Sequence, residues 1–163
     1  MDERAFQTLY NETAAPLQRY AARVLGDAAR AEDIVQEAWL RLLRQPPALV
    51  APGAERAYLF RVVSNLMIDH WRRHRREVTT ATVPERAAAS RDGALRLDMG
   101  NLFLKLTPRE RQLLWLADVE ESTHREIATA LGLGEGSIRV LLSRARRKLA
   151  GLLRAGGHGE ETR

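Results

Sequence analysis

The chain has 163 residues, with 26 Lys and Arg against 21 Asp and Glu, so its net charge is +5. It has no cysteine, which excludes a disulfide framework and a thiolate metal site. No apolar run is long enough to span a bilayer and the first residues, MDERAFQTLY, are charged where a signal peptide is apolar, so the chain reads as soluble and cytoplasmic.

This length allows one domain or two small ones. The bases concentrate in two later blocks, around Arg72–Arg76 and Arg139–Arg154, a distribution that suits two contacts with a polyanion.

Ala5–Leu25 places Phe6, Leu9, Tyr10, Leu17, Tyr20, Ala21 and Val24 mostly at three- and four-residue intervals, the pattern of an amphipathic helix. Pro16 is expected to break or kink it, or to open its second half. Gly26-Asp27 ends this helix and offers a cap to the next, Ala28–Arg44. There Ile34, Val35, Ala38, Trp39, Leu42 and Leu43 form a broad apolar stripe, and Asp33, Gln36 and Glu37 lie on another face. Asp33 and Glu37 stand one turn apart. With no His, Cys or third carboxylate to join them, they complete neither a metal site nor an acid–base pair. The residues alone give a solvated face with a Glu37–Arg41 pair worth roughly 0.2–0.5 kcal/mol.

Gln45–Glu55 holds three prolines and a glycine and is a loop, apolar at Leu49 and Val50. Arg56–Arg76 is a third helix. Tyr58, Leu59, Val62, Val63, Leu66, Met67 and Trp71 supply its buried side; Arg61, Asn65, Asp69, Arg72, Arg73 and Arg76 supply the other. Complementing a helix C-terminus takes one or two cations, so the four arginines of His70–Arg76, interleaved with Trp71 and His74, point to a nucleic acid. His70 and His74 have the spacing of a metal pair but no third ligand in the run, and no metal site is expected.

Glu77–Gly100 loses the helical period. Residues 77–93 read as a mobile linker, and 94–98 regain a helical composition. Asn101–Glu120 is helical again. Leu102, Phe103 and Leu106 lead to a capping box at Thr107-Pro108-Arg109-Glu110, and Leu113, Leu114, Leu116 and Ala117 follow as a stripe. Ser122 or Thr123 caps the next helix, with Glu126 placed to reciprocate.

The segment Thr123–Leu149, THREIATALGLGEGSIRVLLSRARRKL, has the spacing of a helix-turn-helix. Ala128 lets two helices approach, Gly132 can take the positive φ that ends the first, and Ile138 plugs the second onto it. The second helix carries Arg139, Ser143, Arg144, Arg146, Arg147 and Lys148, and no acid lies between Gly136 and Arg154. A helix this basic in this motif reads as a reader of the DNA major groove. The tail after Arg154 is too polar and Gly-rich to fold. No nucleophile–base arrangement is present, and Gly132-x-Gly134-x-Gly136 follows a helix where a phosphate loop would follow a strand; no catalytic residue, cofactor or metal is expected.

The expected fold class is therefore all-α: two small helical domains joined by a flexible linker. Residues 1–76 form the first, 77–100 the linker, 101–154 the second, and 155–163 a disordered tail. Four segments in this order resemble the extracytoplasmic-function (ECF) sigma factors: AEDIVQEAWLRLL, AYLFRVVSNLMIDHWRRHRR, LTPRERQLLWLADVEE and the helix-turn-helix. The resemblance implies that the first module is sigma domain 2 and the second sigma domain 4. It implies that Asp33, Gln36 and Glu37 face the beta-prime clamp helices of core RNA polymerase, with the beta subunit a further contact.

It further implies that the loop Gln45–Glu55 captures a flipped base of the minus-ten element, although the loop has no Asn or aromatic residue to name for that role. Asn65, Asp69, Arg72, Arg73 and Arg76 would line the adjacent DNA. Ser137, Arg139, Ser143 and Arg144 would read the minus-thirty-five element, with Arg146, Arg147 and Lys148 serving phosphates. Val140 and Leu141 put apolar groups where polar readers are expected. Promoter DNA, core polymerase and an anti-sigma factor are the implied partners. Free of polymerase, the two modules are expected to fold together and hide both DNA faces. The competing reading is a helix-turn-helix repressor or activator that binds its operator without polymerase.

Overall fold

Asp2 starts the first helix, its carboxylate accepting from the Ala5 backbone N–H at 2.8 Å. The computed structural model describes residues 1–48, 51–77 and 99–156, and all regular structure among them is helical. Helix α1 is Glu3–Leu25, α2 Ala28–Arg44 and α3 Ala54–Glu77. Residues 99–104 form α4, Pro108–Leu114 α5, His124–Leu131 α6 and Glu135–Ala155 α7, and a π-helical segment, Trp115–Val119, extends α5.

Helix α1 runs unbroken through Pro16. The ring removes one hydrogen bond to the preceding turn, at the exposed residue Glu12. Glu77 closes α3, residues 99–100 belong to α4 and Ala155 closes α7, so the helices take residues that the sequence pattern assigns to linker and tail. Leu49, Val50, most of the linker, the helical reading of 94–98 and the tail from residue 157 lie outside the described residues.

Local rules set the boundaries. Asp27 caps α2 through Arg30 N–H. Thr107 and Thr123 each form a capping box, with Glu110 and Glu126. Two glycines at positive φ stop helices, Gly26 at 70° and Gly132 at 66°. A Cβ on Gly26 would stand 2.6 Å from a methyl of Leu104, so a side chain there would displace the tip of that leucine on α4.

Among the described residues the larger of two buried clusters runs through both modules. Leu17, Tyr20 and Val24 of α1, Val35 and Leu42 of α2, and Leu59, Val63 and Met67 of α3 form the first half. Leu113, Leu116, Ile127, Leu131, Ile138 and Leu142 continue it. Burying each such side chain is worth about 1.5–3 kcal/mol. The two modules therefore pack against each other, with α3 seated on α6 and α1 on α5.

Polar groups are matched across that seam. The Ser64 hydroxyl donates to Phe60 C=O at 2.6 Å, so the Tyr20 hydroxyl, 2.7 Å away, donates to Ser64. Burial holds the Tyr20 phenol well above its ordinary pKa. Gln112, wholly buried, donates to Ser64 C=O at 2.9 Å. Arg111 donates to Leu106 C=O and to Val24 C=O, one of the carbonyls left open at the end of α1. Arg56 and Glu120 close the edge with an ion pair at 3.0 Å.

Candidate nucleic-acid interface

Helix α3 turns about 100° per residue, which lines Asn65, Asp69, Arg72 and Arg73 along one strip. All four are exposed. Arg76 lies on the same strip of the backbone, its side chain outside the described residues. Arg75 is held over the Trp71 ring, 5.3 Å from its centroid. His70 and His74 stack at 5.8 Å. Burial, then the neighbouring Arg30, lowers the pKa of His70 below its ordinary 6.5. Among the described residues no group of three metal-ligating side chains forms.

Helix α7 is seated from behind by Ile138, Leu142 and Ala145, all essentially buried. Ser137, Arg139, Ser143, Arg144, Arg146 and Arg147 are exposed. They are not equivalent. Arg146 is held by Asp118 of the π segment, Nη2 to Oδ1 at 2.7 Å, an interaction that raises its pKa. Lys148 pairs with Glu110 at 2.8 Å. Burial pushes the Glu110 carboxyl up, but Lys148 and the Thr107 cap outweigh it and leave the pKa below its ordinary value. Arg147 reaches Ser143 at 3.5 Å, and the Ser137 hydroxyl donates to Gly134 C=O at 2.7 Å. Among the described residues Arg139 and Arg144 have no ion-pair partner.

On α2, Asp33 and Gln36 are exposed, and Glu37 holds Arg41 at 2.9 Å. Leu43 belongs to the apolar stripe by periodicity, yet it is 54% exposed, and Leu40 nearby is 42% exposed. Sequence reasoning missed both as surface residues. The signal was a run of apolar residues wider than one buried face can hold.

The modules do fold together, as expected, but the closure does not hide the candidate DNA-facing residues. Helices α5 and α6 fill the seam instead, leaving the strips on α3 and α7 in solvent. The reason is that α6 presents Ile127, Ala130 and Leu131 as buried apolar surface, whereas neither basic strip has anything to gain from burial.

An all-helical pair of modules, each with an exposed basic strip and one with a helix-turn-helix, defines a DNA-binding transcription factor. The Sigma-70 region 2 family matches residues 9–77 and the Sigma-70, region 4 family matches residues 96–149. The chain is 36% identical over 151 residues to ECF RNA polymerase sigma factor SigL of Mycobacterium tuberculosis, covering 88% of this chain and 85% of that protein. It is 31% identical over 159 residues to ECF RNA polymerase sigma factor BldN of Streptomyces coelicolor, covering 91% of this chain and 60% of that one. The chain belongs to the ECF RNA polymerase sigma factors.

Solved structures share the fold. CnrH in complex with the cytosolic domain of CnrY aligns with a TM-score of 0.71 at 26% identity over 94% of this chain and 90% of that one. The sigma factor RpoE in complex with the anti-sigma factor NepR from Bartonella quintana aligns at 0.77 with 22% identity, over 93% and 98%.

Proposed function

We propose that residues 1–76 read the minus-ten element and residues 101–154 the minus-thirty-five element, joined by a linker over 77–100, while the chain is docked on core RNA polymerase in the cytoplasm. In this reading Asp33, Gln36 and Glu37, with the exposed Leu40 and Leu43, form the face that meets the polymerase clamp. Asn65, Asp69, Arg72, Arg73 and Arg76 track DNA opened at the downstream element, where exposed bases are read as single strand. Arg139, Ser143 and Arg144 enter the major groove, where donor and acceptor patterns distinguish all four base pairs. Arg146, engaged by Asp118, and Arg147 serve phosphates. The protein contributes selection of the start site and no bond-making step.

The observation that carries this reading is the pair of exposed basic strips on two modules of one chain. Helices in contact lie about 8–10 Å apart, so with α6 between them α3 and α7 approach within roughly 20 Å. Elements centred on minus ten and minus thirty-five lie about 25 base pairs apart, roughly 85 Å on straight duplex. The seam must open for both to be read. An anti-sigma factor, the kind of partner bound in the RpoE structure, would act by holding the modules away from polymerase. A repressor acting without polymerase leaves the α2 face without a use. Run-off transcription with purified core polymerase tests the reading: specific transcripts appear only when the chain is added. Specific operator binding with no effect on transcription overturns it.

A further inference from the structure

We propose that Val140 is a specificity-determining residue of the upstream reader, packing against the 5-methyl group of a thymine in the major groove. The inference rests on the reading of α7 as a groove helix and goes beyond its polar contacts.

Val140 is 49% exposed in the second turn of α7, a helix otherwise well packed on its module. Stepping about 100° per residue from Ile138, Leu142 and Ala145 places Val140 opposite the buried stripe, on the outermost ridge of α7. Its neighbours on that ridge are Gly136, Ser137, Ser143, Arg144 and Arg147.

The first turns of a recognition helix make most base contacts, and here few side chains are available to make them. Gly136 has none. The Ser137 O–H is already donated to Gly134 C=O, which leaves that side chain only its lone pairs to offer a base. Glu135 carries the charge of the phosphates and faces Arg125 at 4.0 Å. Arg139 and Val140 remain. An apolar group ringed by arginines suits neither a second copy of this chain, which would bring like charge, nor a cationic surface. Duplex DNA offers what both parts of the patch need: phosphates for the arginines, and on the floor of the groove one apolar substituent, the thymine methyl.

The test recovers duplexes from a random pool with the chain assembled on core polymerase. Each thymine of the selected element is then replaced in turn by deoxyuridine, which lacks only the methyl group. At one position the wild-type chain is expected to lose about three- to fivefold in affinity, the equivalent of one methyl group returned to water. Val140→Ala should lose a similar factor on the thymine duplex and nothing more on the deoxyuridine duplex. Equal melting curves for the two proteins separate this from misfolding. Additive losses, or no loss at any thymine, overturn the inference while leaving the groove reading intact. Recovery of no preferred sequence overturns both.

Discussion

The two basic helices of this molecule are held in opposite ways. Helix α7 is anchored within its own module, by Ile138, Leu142 and Ala145 behind it and by Asp118 and Glu110 at its flank. Helix α3 packs on α1 and α2 on one side and on α5 and α6 of the other module on the next. Opening the seam thus changes the surroundings of α3 and leaves those of α7 as they are. In the proposed reading the upstream reader is preassembled, and the downstream reader shares its helix with the contact that would open.

Ile138→Ala separates the two most strongly. It should cost about 2–5 kcal/mol and melt the second module first, since that residue is buried where α7 packs within its own module. Helicity followed against temperature checks it; a loss shared equally by both modules would mean that they unfold as one unit.

Gln112→Glu comes next. The substitution is isosteric, but it turns a donor toward Ser64 C=O into an acceptor and buries a charge, at a cost of about 1–3 kcal/mol or more. In an opened chain the same side chain meets water and costs little. Small-angle scattering should show a larger radius for the variant at unchanged helicity.

Arg144→Ala and Arg72→Ala then sharpen the contrast between the readers. The first should cost roughly 1–3 kcal/mol of discrimination at the upstream element, read by competition between duplexes. The second should weaken binding to all sequences alike and reduce the salt slope by about one. Asp33→Ala with Glu37→Ala should lower affinity for core polymerase in a pull-down while the free chain melts as before; both carboxylates lie on the solvent side of α2.

The smallest effect is in pH. His70 binds its proton less readily in the folded chain than in the unfolded one. Folding therefore favours its neutral form. Stability is full above the unfolded pKa of about 6.5 and falls as pH drops below it. His70→Gln should flatten that part of the profile. The depressed Glu110 works in the acid range instead, its contribution present above the ordinary carboxylate pKa and lost as pH falls through the folded one. A pH titration of melting should show the first module responding near neutrality and the second only in acid.

What was legible in the chain was what neighbours in sequence decide. Thr107 and Thr123 announce their helices through partners three residues away, and Gly132 marks a turn that its φ confirms. The stripe on α7 follows from periodicity. The seam was not legible. Gln112 meets Ser64 across 48 residues and Arg111 meets Val24 across 87, and a buried Gln or Arg on a helix has no local signature. Ser64 looks like a weak helix residue until its hydroxyl is seen between Tyr20 and Phe60 C=O. Periodicity also placed Leu43 in the core because it ranks residues by apolarity and cannot tell a packed leucine from one left at the surface. The candidate DNA-facing residues were legible as types, but which cations are engaged by acids, as Arg146 and Lys148 are, needed the fold.

The distance between the modules is the most direct measurement. The chain lacks cysteine, so a cysteine pair introduced at the exposed Ala15 and Ala150 accepts two dyes without competition. Free chain should show strong energy transfer, and chain bound to core polymerase on promoter DNA should show transfer fall as the readers separate toward their two elements. Strong transfer persisting in a complex that transcribes would contradict the account.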